Sequence, residues 1–226
     1  MFQGTPYFNF FRGRVELESM TRAGYDIATL GNHDFDLGAS WLLTALKRYA
    51  RFQICTSNLL FSHSGAQALL KPYVVRRVGG RRLGFFGLTV KLEGLVPANL
   101  WSGVKVLDPV KTAQKMVREL RHRHRCEAVI CLSHLGNYST RGEPGDQELA
   151  RAVRGIDLII GGHTHTFLDK AQQVRNAFQE NTSIVQVGHS GVWLGQVDLM
   201  FGAQGEVHVQ PQVMPIQMRK KSMMKR

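Results

Sequence analysis

Three apolar runs in this 226-residue chain stop in the same way, and side chains able to hold a metal ion follow at once. The first run leads into Asn32-His33-Asp34, the second into His134, and the third into His163-Thr164-His165. Neutral imidazoles and an amide carbonyl suit zinc, manganese or iron better than calcium. His163 and His165 are two positions apart. In a strand or a tight turn that spacing aims both rings at one place, whereas on a helix it separates them. A single histidine after a strand is ordinary structure. Three such endings flanked by glycine point to one metal-dependent site.

Residues so far apart in sequence need a rigid edge to gather them. In layered α/β proteins the C-terminal ends of the strands form that edge. The sequence alternates accordingly. A helix is expected over 14–23 with Gly24 as its stop, then a strand over 25–30. A second helix over 41–49 carries Leu42, Ala45, Leu46 and Tyr49 on one face. A strand follows over 52–57, and Gly79-Gly80 joins 73–78 to 82–89 as a hairpin. Asp108 caps a helix that has Pro109 at its first position and Val110, Ala113, Val117 and Leu120 as its buried stripe. Strands over 128–132 and 157–160 precede the histidine endings. From Ser183 onward only strands are expected, over 184–187, 193–201 and 206–209.

Composition agrees with one α/β domain. Hydrophobic residues make up 43% and charged residues 20%, and no apolar run is long enough to span a bilayer. The three cysteines, Cys55, Cys126 and Cys131, lie in or beside apolar strands and read as buried free thiols. The formal charge of +12 concentrates in 118–125 and in a basic tail over 218–226. Both read as solvated segments, although a positive field also suits anionic phosphoesters. His122 and His124, two apart on a helix, are expected at the surface. His63 and His189 are expected in turns, and the cluster Tyr7, Phe8, Phe10 and Phe11 is expected in the core.

The segment Gly31-Asn32-His33-Asp34, with His134 and Gly162-His163-Thr164-His165, resembles three motifs of the calcineurin-like metallophosphoesterases. Gln3-Gly4-Thr5-Pro6, Gly24-Tyr25-Asp26, the stretch from Thr29 to Gly38 and Ser57-Asn58-Leu59 are similar to the 5'-nucleotidase-like branch, which includes bacterial cyclic-nucleotide phosphodiesterases. The resemblance covers residues 1–217 and leaves out the tail. It implies a four-layer αββα sandwich that hydrolyses phosphate esters of nucleotides with a hydroxide made at a dinuclear metal site. Asn32, His134 and His163 would bind one ion and His165 the other. His33 would face the phosphate, and Asp36 would hold the His33 ring.

The family pattern also has an Asp-x-His motif on a first strand and a Gly-Asp-x-x-Gln segment whose Asp bridges two metals. If Gln3 is the last residue of that segment, the bridging Asp would fall immediately before Met1. The expectation is therefore an incomplete domain that lacks the first strand, holds at most one ion weakly, and turns over slowly or not at all. Relatives of this kind are commonly exported to the periplasm or envelope. The chain as it stands shows no signal peptide and would stay in the cytoplasm. Either another polypeptide supplies the nucleobase-binding domain of such relatives, or the substrate is a simpler phosphoester. Two other readings compete: a catalytically silent binding protein, and a nuclease that uses the basic runs. The nucleotidase-like flanks disfavour nucleic acid as a partner.

Overall fold

The computed structural model describes Met1, residues 6–203 and residues 205–216. Gln3 and the basic tail lie outside the described residues. Two helices come first, α1 (Pro6–Phe11) and α2 (Arg14–Arg22), and strand β1 (Ile27–Ala28) then leads into a 3-10 turn, Asn32–Phe35. Helix α3 (Ala39–Tyr49) precedes β2 (Gln53–Cys55), β3 (Leu59–Phe61), α4 (Ala66–Leu69) and β4 (Leu70–Lys71). The hairpin of β5 (Tyr73–Val78) and β6 (Arg81–Thr89) follows, then β7 (Val104–Val106). Helix α5 (Pro109–Arg118) ends in a π-turn, Glu119–Arg123. Next come β8 (Ala128–His134), α6 (Asp146–Ala152) and β9 (Leu158–Ile160). Four strands close the chain: β10 (Gln172–Arg175), β11 (Asn181–Val185), β12 (Trp193–Phe201) and β13 (Val207–Pro215).

These elements stack in four layers. Helices α2 and α3 bury Leu17, Leu42 and Leu46 against β1, β2 and β4, which form a three-stranded parallel sheet. A six-stranded sheet in the order β10-β11-β9-β8-β6-β5 lies next to it. Its outer face takes Ala113, Met116 and Val117 of α5 and Leu149 of α6. Its other face, at Leu83, Ile130 and Leu158, is covered by Val197, Leu199 and Val209 of the β12–β13 ribbon. Helix α5 starts where its cap requires, with the Asp108 side chain accepting from the Lys111 N–H at 2.8 Å.

Register decides where the strands end. In the six-stranded sheet β6, β8, β9 and β11 run parallel. Thr89 pairs with His134, and Leu132 pairs with Ile160, so the exits of three strands share one edge. The smaller sheet is pinned to the same edge. The Thr89 hydroxyl donates to the Leu30 carbonyl at 2.7 Å, and the Ser57 N–H donates to Gly87 O at 2.8 Å. A Cβ on Gly87 would lie 2.0 Å from the Cys55 carbonyl oxygen, so the sheets can approach this closely only at glycine. Asn32, two residues past Leu30, is thereby carried to His134.

Two expectations change. Tyr7, Phe10 and Phe11 are not core residues; they are 56%, 81% and 50% exposed. They sit at i, i+3 and i+4 of α1, so one face carries all three, and that face points outward. Tyr7 and Phe11 stack on each other, and only Phe8 packs on the core. The basic run 118–125 is not uniformly solvated. Arg121 turns inward, donating to the carbonyls of Glu127 at 2.9 Å and Gly155 at 3.1 Å and pairing with Asp157. His124 is half-buried, with Nε2 2.8 Å from the Tyr73 hydroxyl, while His122 is exposed as expected. All three cysteines are buried and free. Among the described residues no helix is long and apolar enough to cross a membrane.

Candidate metal and phosphoester site

The shared strand edge brings Asn32, His134 and His163 together. His134 Nε2 lies 3.1 Å from Asn32 Oδ1, and its ring centroid is 5.2 Å from that of His163. This approach requires Gly31, because a Cβ there would sit 2.6 Å from His134 Nε2. Burial, and after it His163, lowers the His134 pKa to about 3. Burial also lowers that of His163, helped by His165 and His33. Both rings are therefore neutral near pH 7, which leaves lone pairs free for a metal.

His33 stands beside these donors, half-exposed, with Nδ1 3.1 Å from Asp36 Oδ2. Asp34 is fully buried and engaged elsewhere. Its Oδ2 accepts from the Gly31 N–H at 2.7 Å, and its Oδ1 accepts from the Met1 ammonium at 2.8 Å. His165 lies with its ring 5.3 Å from that of His189. His189 is thus a turn residue, as expected, that also borders the site.

His163 and His165 both have left-handed backbones, with φ of 68° and 54°. For a non-glycine residue this costs roughly 1–2 kcal/mol. The conformation is held by Gln186, which the sequence reading did not single out and which is 2% exposed. Its amide nitrogen donates to Gly162 O at 3.0 Å, and its Oε1 accepts from the Thr166 N–H. Thr164 Oγ1 is 3.4 Å from the same Oε1 and accepts from the Asn137 N–H at 2.9 Å. The only sequence signal for Gln186 was a polar residue inside an apolar strand run.

Asp146 was missed as well. The Ser133 hydroxyl, next to His134, donates to Asp146 Oδ1, while Asp146 Oδ2 lies buried without a partner close under Gly161. Burial raises its pKa to about 7, and the Ser133 hydrogen bond only partly opposes this. The folded state therefore holds a proton that the unfolded chain releases near pH 4. Stability should fall as pH rises from about 4 to about 7 and then level off, by roughly 4 kcal/mol at most. Asp146→Asn is expected to flatten that slope in urea melts between pH 5 and pH 8. An unchanged slope would show that another group is responsible.

Two neutral imidazoles and one amide oxygen fit part of the shell of a single divalent ion. Two ligands of one ion stand roughly 3 Å apart, since each bond is about 2 Å, and the Asn32–His134 pair has that separation. Among the described residues no three His, Cys, Asp or Glu side chains form a group that could hold a metal.

Comparison with known proteins adds an independent line. A sequence model of the calcineurin-like phosphoesterases matches residues 3–167. The fold superposes on the crystal structure of a 5'-nucleotidase precursor from Thermus thermophilus with a TM-score of 0.84 and 35% identity, covering 95% of this chain and 43% of that one. The trifunctional nucleotide phosphoesterase protein YfkN of Bacillus subtilis is 32% identical over 92% of this chain and 16% of its own length. A snake venom 5'-nucleotidase of Gloydius brevicauda is 32% identical over 91% of this chain and 36% of its own. The chain thus spans less than half the length of each of these relatives.

Proposed function

The chain belongs to the calcineurin-like phosphoesterase family, and on that premise we propose that it serves a hydrolase of phosphoric esters whose substrates are nucleotides. The observation that supports this most is the convergence of Asn32, His134 and His163 on one strand edge, with the His33–Asp36 pair beside them. Asn32, His134 and His163 are the residues that would hold a divalent ion. When bound, the ion supplies charge that polarises a phosphoryl oxygen and lowers the pKa of water.

The chain's own groups have separate tasks. Asp36 accepts from His33 Nδ1 and fixes the ring; when the ring is doubly protonated, Nε2 gives its proton to the departing ester oxygen and the imidazole is left neutral. Gln186 keeps His163 turned toward His134. Gly31 lets Asn32 and His134 meet without a side chain between them. We propose that the nucleobase is recognised outside these layers, by a separate domain or polypeptide. Because the donors present are neutral and few, we also propose that this chain holds one ion weakly and turns over slowly.

Metal analysis of the purified protein, equilibrated with manganese or zinc, tests the binding half directly. At most one ion per chain is expected, displaced readily by a chelator. Two firmly held ions per chain would overturn the single-ion reading. Release of phosphate from nucleoside monophosphates tests the other half. A protein with its ion bound that cleaves no phosphoester would sink the hydrolase reading.

A further inference from the structure

A cavity of about 310 Å³ opens beside His163, between the residues that follow β6 and the turn that follows β8. That is at the lower end of small-molecule site volumes, about 300–1,000 Å³. Its walls carry Lys91, Glu93, Arg141 and Glu143 in addition to His163. Lys91 is shared between two carboxylates, at 3.5 Å from Glu93 and 3.3 Å from Glu143. One ammonium between two carboxylates leaves a net charge of −1 on that side, so an anion would be drawn to the Arg141 side of the cavity. Arg141 differs. One of its nitrogens donates to Gly94 O at 2.8 Å, which anchors the guanidinium at the cavity wall. Among the described residues it has no carboxylate partner, so four of its five donors remain for a ligand.

The backbone gives a second, independent pointer. Arg141 and Gly142 have φ of 53° and 76°, and the turn is closed by reciprocal bonds between Thr140 and Glu143 at 3.2 and 2.9 Å. Positive φ at both central residues is the geometry for which asparagine and glycine are preferred. An arginine at the first of them carries backbone strain that glycine would avoid. Strained residues of this kind collect at ligand-binding positions. Here the strain places the guanidinium at the cavity wall shared with His163.

We propose that this cavity is an anion subsite for a phosphate group other than the one being cleaved, with Arg141 as the residue that selects for it. This rests on the reading of the neighbouring residues as a phosphoester site. The planar guanidinium offers paired N–H donors that match two phosphate oxygens. The favoured ligands are then diphosphates, nucleoside diphosphates among them, over monophosphates.

Titration calorimetry with inorganic phosphate and inorganic pyrophosphate tests the subsite on the purified protein in one manganese-containing buffer. Chelation in solution then cancels between variants. The intact protein is expected to bind pyrophosphate about tenfold more tightly than phosphate, the worth of a charge-assisted contact. Arg141→Gly should abolish that preference, leave phosphate affinity unchanged and raise the melting temperature by relieving the turn. Arg141→Lys should retain part of the preference. Either an unaltered preference in Arg141→Gly or an equal loss for both anions overturns the proposal. The underlying reading fails separately: a protein that prefers pyrophosphate through Arg141 yet cleaves no phosphoester keeps the subsite and loses the enzymatic role. One that cleaves monoesters without any pyrophosphate preference loses the subsite and keeps the role.

Discussion

Replacing His33 with alanine is expected to lower kcat for nucleoside monophosphate hydrolysis by about 10²–10⁴-fold, the usual contribution of a placed general acid. The geometry behind this is specific. His33 follows Asn32 directly in the 3-10 turn, so its backbone is fixed by the same contacts that place Asn32 against His134. Its Nδ1 is occupied by Asp36, which leaves one nitrogen to face a substrate. The side chain is half-exposed, so removing it opens no core cavity, and the melting temperature should change little. Asp36→Asn keeps a hydrogen-bonding partner but no charge, and a loss of about tenfold is expected, as for other orienting partners. Metal content should be unaltered in both variants. A His33→Ala protein that retains more than about a tenth of the activity would remove His33 from the chemistry.

The second large effect is expected at a residue that touches neither substrate nor metal. Gln186→Met keeps volume and burial but deletes every polar contact of the side chain. The Thr166 N–H would then lose its acceptor, at about 1–3 kcal/mol, and the Gly162 carbonyl would keep only the Thr164 N–H. The left-handed backbones of His163 and His165 would lose the group that holds them. Metal affinity is expected to fall by about 10–100-fold, the typical cost of removing a residue that orients a ligand. Gln186→Glu separates the two halves of the amide. Its oxygen can still accept from Thr166, while the donor to Gly162 is gone, so an intermediate affinity is expected. If affinity is unchanged in Gln186→Met although urea melts show the lost stability, Gln186 is structural only.

Exposed α1 shows the limit of local reading in one direction. Aromatic content suggested a core segment, and the helical period placed Tyr7, Phe10 and Phe11 on an outward face. Composition counts apolar residues; it does not say which side of a helix meets a neighbour. Arg121 shows the limit in the other direction. In sequence it is one charge among several in a basic run, and in the fold it ties the end of the π-turn to Gly155 and Asp157. The pairing β3–β7 and the helix α6 carried too little periodicity over their short lengths to be anticipated.

The sequence alone determined what depends on neighbours in the chain. The Asp108 cap, the β5–β6 hairpin and the amphipathic faces of α3 and α5 are set by contacts a few residues apart, and each formed where its pattern placed it. The metal-capable endings were legible for the same reason, because strand, glycine and histidine are contiguous. Tertiary structure decided which endings meet. The Thr89–Leu30 and Ser57–Gly87 bonds carry Asn32 to His134 across 102 positions, and His165, whose charge reaches His134 and His163, has the His189 ring beside it. It also decided which unremarkable polar residues matter. Gln186, Asp146 and Arg141 gain their significance from burial, from backbone groups distant in sequence and from a cavity wall, and none of those exists until the sheets have packed.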